Sequence, residues 1–365
     1  MKYVIEKEHI VNNLQILKKH CGQSEIIGVV KADGYGTGIT ALSELLIDNG
    51  IKCLAVARSE EAVQLRSNDV QADILLLSPP SDAGSADWLC ENDIINSVDS
   101  FETAALLHAS AVKLQKKARA HIVIDTGFGR YGFLPGEENK IIEAYNSFSE
   151  MISFEGIYTH FYNAFANDTS SVKMQAAQFD IVTKALENCG ICRLLKHACN
   201  SSAAVRFPEY HFDAVRVGSA LLGRVTGRSL SGIKAVGRLE SNIVSLKELP
   251  AGHNLGYSGV FTTKRKTICA VVPVGVFDGY GLKRNNVAFT VKERFAQILR
   301  SVRHIGDSQQ LSVDVNGFTC KVIGSVGLTD FFVDVTDLKD VHVGDVVSFD
   351  VSPIYVDSSV CREFI

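Results

Sequence analysis

Lys31 closes the apolar run Ile26–Ile27–Gly28–Val29–Val30 and leads into Gly34-Tyr35-Gly36-Thr37-Gly38. An amine at the mouth of an apolar strand bundle is desolvated, which lowers its pKa and makes it a better nucleophile toward an aldehyde. Taken alone, the commoner fate of a strand-end lysine is to snorkel into water. The glycine-rich stretch lacks the G-x-G-x-x-G spacing of a dinucleotide loop, and no G-x-x-x-x-G-K-S/T phosphate loop occurs in the chain. Four further clusters of polar residues follow apolar runs. Arg130 comes after the fifth run, His160 after the sixth, Asn200 and Ser201 after the seventh, and Arg216 ends the eighth. Cys189-Gly-Ile-Cys192, with His197 and Cys199 close behind, has partial zinc spacing. Its ligands would be split between a helix end and a buried strand, so no metal is expected there.

These residues converge only if the runs are strands of one sheet. Short, β-branched runs at 26–31, 53–57, 73–78, 93–97, 119–125, 153–159, 194–198 and 213–216 alternate with helical patterns such as 38–49, 59–68, 100–116, 138–149 and 170–188. Repeated β–α alternation implies parallel strands joined by right-handed crossovers. Eight strands before residue 220 favour a closed (β/α)8 barrel, whose chemistry sits at the C-terminal ends of the strands. After about residue 230 the helical periodicity fades. Alternating runs at 241–247, 267–272, 287–291, 311–315, 319–323, 331–335 and 345–351 are punctuated by turn pairs such as Asn316-Gly317. The expectation is an α/β chain with a barrel over residues 1–230 and a smaller, mostly β domain over 231–365.

Composition sets the outer limits. A net charge of −4 provides no basic field to draw nucleic acid or an anionic membrane. No stretch approaches the roughly 20 apolar residues that span a bilayer, and the N-terminus has no signal-peptide core. Nine cysteines, an odd number scattered through apolar segments, suit free thiols in a reducing cytoplasm.

The flanking motifs sharpen the lysine's role. VVKADGYGTG around Lys31, HIVIDTGFGRYGF around Arg130, GIYTHF with His160, HACNSSAAVRFP with His197, Asn200 and Ser201, and FDAVRVGSALLG with Arg216 occur in that order. NLGYSGVF with Tyr257 and VPVGVFDGYG with Tyr280 follow in the β region. Together they resemble the alanine racemase family over nearly the whole chain. The resemblance implies pyridoxal 5′-phosphate held covalently by Lys31, with Tyr35, Ser201, Gly218 and Ser219 around its phosphate. Asn200 and His160 would join the cofactor's surroundings, and Arg216 would face the pyridine nitrogen. Because an arginine can only donate, that nitrogen would stay unprotonated. The reaction implied is racemisation of a small amino acid, with Lys31 and Tyr257 as bases on opposite faces. A tyrosine titrates near 10, so Tyr257 would need the neighbourhood supplied by His160 and Arg216. Arg130 would grip the substrate carboxylate as a fork. The resemblance also implies a homodimer in which Tyr257, Tyr280 and the Leu328 backbone enter the partner's site.

Three positions depart from the family pattern. Val123 stands where a lysine is common, seven residues before Arg130; Gly327-Leu328-Thr329 replaces a Cys-Met-Asp segment; and Ser358 replaces a phosphate-binding tyrosine, with Tyr355 nearby. The departures cluster where substrate is recognised. Retained cofactor chemistry with altered amino-acid preference is therefore expected: alanine first, with serine or a longer side chain as alternatives. A non-catalytic cofactor-binding protein and a decarboxylase on the same architecture are the competing classes. The decarboxylase resemblance would require an acidic residue where Arg216 stands and a Gly-rich phosphate loop where Ser201 stands.

Overall fold

The computed structural model describes residues 1–256, 259–282 and 311–365. The chain divides into two compact units, Glu6–Val236 and Met1–Ile5 with Gly237–Ile365. The first strand, β1 (Lys2–Ile5), thus belongs with the C-terminal part of the chain rather than with the segment that follows it.

In the larger unit eight parallel strands close a barrel: β2 (Glu25–Val29), β3 (Cys53–Val56), β4 (Asp73–Leu76), β5 (Ile94–Val98), β6 (Ala118–Val123), β7 (Ile152–Tyr158), β8 (Leu195–His197) and β9 (Ala214–Val217). Closure comes from β2, which pairs with β3 on one side and β9 on the other. This is the (β/α)8 architecture expected from the alternation. Alternate side chains of a strand face opposite ways. Ile27 and Val29, with Ala55, Leu75, Ile95 and Ala214, therefore form one buried cluster, while Gly28 backs onto Leu46, Ile51 and Leu54. Buried polar side chains, Ser97, His121, Tyr158, His197 and Arg216, come from β5 to β9. The helices between the strands start at the caps their sequences offer: Ser100 accepts from the Thr103 N–H and Asn200 from the Ala203 N–H.

The second unit is built on a nine-stranded sheet among the described residues. Its later strands are β10 (Arg238–Asn242), β11 (Ser245–Leu249), β12 (Asn254–Leu255), β13 (Phe261–Thr262), β14 (Thr267–Val272), β15 (Ser312–Val315), β16 (Phe318–Ile323), β17 (Phe331–Asp334), β18 (Val346–Phe349) and β19 (Cys361–Phe364). The sheet order is β11-β14-β17-β16-β15-β18-β10-β1-β19, and β12 and β13 pair separately. Asn316 and Gly317, with φ of 52° and 84°, make the tight turn of the β15–β16 hairpin, as their dipeptide predicts. The run 241–247, read as one strand, is two. At Ile243–Val244 the chain leaves β18 for β14, the Ile243 N–H going to the Asp345 carbonyl and the Val244 N–H to that of Val271. The expected strand at 287–291 lies outside the described residues.

Candidate active site

One cavity in the barrel unit is lined by Lys31, Tyr35, Arg130, Tyr158, His160, Asn200, Ser201, Ser202, Arg216, Gly218 and Ser219, with Val29 and Leu77 as apolar lining. Every barrel residue expected at the site is therefore brought to one place. Lys31 does not end its strand as expected. The strand stops at Val29, and Lys31 opens a short turn, Lys31–Gly36, whose backbone is left-handed from Ala32 to Tyr35. That turn sends both the lysine and the tyrosine into the same cavity. Burial lowers the Lys31 pKa; nearby Arg130 and Arg216 lower it further, and Glu61 opposes them.

Arg216 is the electrostatic centre, buried to 3% exposure. One terminal nitrogen donates to His197 Nδ1 at 2.6 Å and to the His197 carbonyl at 3.2 Å. The other donates to the carbonyl of Thr159 at 2.8 Å, with Ala198 O and His160 Nδ1 both at 3.3 Å. Its guanidinium carbon also lies 4.9 Å from the centre of the Tyr158 ring, a cation–π contact. Nε is the guanidinium nitrogen without a hydrogen-bond partner among the described residues, and the side chain lines the cavity.

An arginine cannot accept, so its donation fixes the tautomers behind it. His197 Nδ1 must be the acceptor, and its proton sits on Nε2. That N–H meets His121 Nδ1 at 2.9 Å, so His121 in turn carries its proton on Nε2. Both imidazoles are neutral: burial and the Arg216 charge push His197 well down, and burial with the Arg119 charge pushes His121 down to about 3. Gly156 makes room for this chain, because a Cβ there would lie 2.7–2.8 Å from the His121 ring. Tyr158 stacks on His197 at 4.9 Å and bonds Ser97 through its hydroxyl at 2.7 Å.

His160 is held below its ordinary pKa by burial and by the charges of Arg216, Arg130 and Lys31. Arg216 reaches its Nδ1 at 3.3 Å and Asn200 its Nε2 at 3.4 Å. A neutral imidazole has one acceptor nitrogen and can take only one of these donors. The Asn200 side chain is itself fixed by the Ala203 N–H and the Phe161 carbonyl.

The other end of the cavity can hold an anion. Ser201 Oγ accepts from the Gly218 and Ala220 N–H groups at 3.0 and 3.2 Å, leaving its own proton to donate. Tyr35 lies against Gly218 so closely that a Cβ there would fall 2.4–2.7 Å from its ring and hydroxyl. Burial raises the Tyr35 hydroxyl to about 12, so it remains a donor.

Arg130 sits on a loop folded around Asp125, whose carboxylate accepts from the backbone N–H groups of Gly127, Gly129 and Arg130. Its guanidinium lies over the rings of Phe128 at 4.6 Å and Tyr131 at 5.4 Å, and Phe128 meets His160 edge-on. Val123 is buried in β6, and among the described residues Arg130 has no carboxylate partner. In the β unit, Tyr280 is buried rather than displayed on the surface. It is 3% exposed, packed against Phe331 and Phe349, with its hydroxyl buried and unpartnered among the described residues. Leu328 is exposed, its carbonyl taken by the Phe277 N–H. Tyr257 lies outside the described residues.

Sequence reasoning passed over His121, Tyr158, Asp125 and Glu61. Only His121 left a usable signal, a polar residue at an alternating position within an otherwise apolar strand. The suggested zinc cluster does not assemble among the described residues: both ring nitrogens of His197 are engaged, and Cys189 and Cys192 are exposed. All nine cysteines are free. No helix among the described residues is long and apolar enough to cross a membrane.

Fold and site define a class: a parallel-barrel enzyme with a basic, strand-end cavity, followed by a β unit. Residues 5–225 match the family model "Alanine racemase, N-terminal domain" and residues 236–353 its C-terminal counterpart. Similar relatives include the alanine racemases of Clostridium tetani, 32% identical over 94% of this chain and 84% of that one, and of Clostridium perfringens, 34% identical with the same coverage. The solved alanine racemase of Clostridium difficile 630 is 27% identical, with a TM-score of 0.79 over 99% of this chain and 88% of that one. The chain belongs to the alanine racemase family.

The histidine chain predicts how stability responds to acid. Between about 3 and the ordinary 6.5, the unfolded chain binds a proton at His121 that the folded chain does not. Stability should therefore be full above pH 6.5 and be lost as pH falls toward 3. His121→Phe should cost about 1–3 kcal/mol at neutral pH, by orphaning the His197 N–H, yet show a shallower acid slope. Calorimetry from pH 7 to 4 checks this; an unchanged slope would contradict it.

Proposed function

We propose that this chain is a pyridoxal 5′-phosphate-dependent racemase of a small amino acid, converting L-alanine to D-alanine. The observation that carries the reading is the convergence of Lys31, Tyr35, Ser201 and Arg216 on one cavity, within a chain that matches both domains of the family. The residues fit the cofactor: an anion cup at Ser201–Gly218 under Tyr35, a desolvated lysine, and a buried guanidinium. Once bound, the cofactor makes the substrate's α-hydrogen acidic by drawing electron density from that carbon.

The chain's own residues supply the rest. Tyr35, Ser201 and the backbone at Gly218–Ser219 would bind the phosphate. Arg216, clamped by carbonyls and His197, would meet the ring nitrogen as a donor and leave it unprotonated. Asn200 and His160 would border the ring. Lys31, its pKa lowered by burial and the two arginines, carries a neutral amine more readily than a free lysine and would move the α-proton on one face. Tyr257, from the partner subunit of a homodimer, would serve the opposite face, and the Leu328 backbone would border the substrate carboxylate. Arg130 would bind that carboxylate through its fork. Free thiols throughout suit a reducing compartment such as the cytoplasm.

A wider range of side chains than alanine alone is favoured by one feature. Arg130 rests on aromatic rings with no carboxylate to fix it among the described residues, so its grip on the substrate is less rigid. In a panel of L-amino acids assayed for the D-form, alanine should be racemised, with measurable turnover of serine. Lys31→Ala should abolish all of it. Arg130→Lys should raise KM about tenfold or more, a point charge replacing a fork. Strict alanine turnover would sink the broader range; no racemisation of any amino acid would sink the reading.

Gly218→Ala probes the phosphate cup. The added methyl would displace Tyr35, so affinity for pyridoxal 5′-phosphate should fall about tenfold or more, with affinity for pyridoxal, which lacks the phosphate, little changed. Equal loss for both ligands would place the phosphate elsewhere.

A further inference from the structure

The turn that carries Lys31 and Tyr35 is expensive backbone. Ala32, Asp33, Gly34 and Tyr35 have φ of 53°, 53°, 61° and 55°, all left-handed, and three of them bear a Cβ. Each such residue costs about 1–2 kcal/mol in that conformation. Local bonds offset part of this: Gly34 N–H to Val30 O at 2.8 Å, Thr37 Oγ1 to Gly34 O at 2.7 Å, and Ile39 N–H to Asp33 Oδ1 at 2.9 Å. One further anchor comes from a different loop. Glu61, in the first turn of the helix Ser59–Ser67, accepts the Ala32 N–H on Oε1 at 2.6 Å. Its Oε2 accepts from Ala57 and Arg58 at 2.8 and 3.1 Å. One carboxylate therefore ties the loop after β2 to the loop after β3.

We infer that Glu61 is a positioning residue of the active site, its carboxylate pinning the left-handed turn so that Lys31 and Tyr35 enter the cavity together. The inference deepens the cofactor reading of Lys31 and rests on it for its meaning. Its geometry stands on the backbone bonds alone. The residue type follows from those bonds, because all three partners are N–H donors. A carboxylate offers acceptors at both oxygens, whereas a glutamine would turn an NH2 toward one of the two sets. Glu61→Gln must therefore lose either the Ala32 bond or the Ala57–Arg58 pair. The charge matters as well. Of the ionised groups acting on Lys31 among the described residues, Arg130 and Arg216 are cationic and Glu61 is the anion, so it limits how far the lysine's pKa falls. The plainer alternative is that Glu61 only caps its own helix by accepting the Arg58 N–H.

The test uses the full chain without cofactor. Hydrogen exchange should accelerate at least tenfold over residues 31–38 in Glu61→Gln, with the barrel strands unchanged. The pH midpoint for reductive methylation of Lys31, read by mass spectrometry, should fall as the opposing anion is lost. Glu61→Asp keeps the charge but shortens the reach; it should accelerate exchange over 31–38 while leaving that midpoint close to the parent. Acceleration confined to residues 57–67 would reduce Glu61 to a helix cap, and uniform acceleration across the barrel would mean general loss of stability. Either result overturns the inference. Failure of the parent protein to bind pyridoxal 5′-phosphate would instead overturn the function proposed above, leaving the Glu61 result to be judged by itself.

Discussion

A permanent positive charge inside the barrel is the constraint from which much of this site follows. Removing an ion from water costs several kcal/mol even after the protein relaxes. The Arg216 guanidinium is tolerated because its terminal nitrogens are surrounded by the carbonyls of Thr159, His197 and Ala198 and by His197 Nδ1. Those acceptors dictate the rest. His197 must be neutral and protonated at Nε2; His121 must accept from it; Gly156 must lack a side chain; and Tyr158 must stack where its ring meets both. The polar residues of β5 to β9 are thus one connected structure, and what it presents to the cavity is a fixed donor.

A second constraint, geometric rather than electrostatic, governs the opposite wall. Lys31 and Tyr35 are four residues apart, yet both line the cavity. The left-handed turn between them achieves this at a cost in backbone energy, which bonds from within the turn and from Glu61 offset. Strain of this kind persists where the surroundings over-determine it, and here they do. The cofactor half of the site is therefore rigidly specified. The substrate half is less so: among the described residues Arg130 is placed by the Asp125 loop and its guanidinium rests on aromatic faces.

Much of this was legible in the sequence because strand periodicity and strand-end residues are local signals. The eight barrel strands, the change of texture near residue 230 and the Asn316-Gly317 hairpin all follow from such signals, and the barrel residues expected at the site do line one cavity. What was not legible depends on distant partners. β1 falls within the range 1–230 expected for the barrel, but its hydrogen bonds go to β10 and β19. The run through Ile243 reads as one strand because its pattern does not record the exchange of partner strands within the sheet. Glu61 looks like a helix cap, and its bond to Ala32 crosses two loops. Tyr280 carries a motif's tyrosine, yet the aromatic pair Phe331 and Phe349, about 50 and 70 residues away in the chain, takes it into the core.

The chemistry proposed for this site turns on Lys31 as the residue that would bond the cofactor. Purified protein incubated with pyridoxal 5′-phosphate, reduced with borohydride and mapped by peptide mass spectrometry tests this directly. A single phosphopyridoxyl group on Lys31 is the predicted result. Labelling of a different lysine, or none at all, would contradict it.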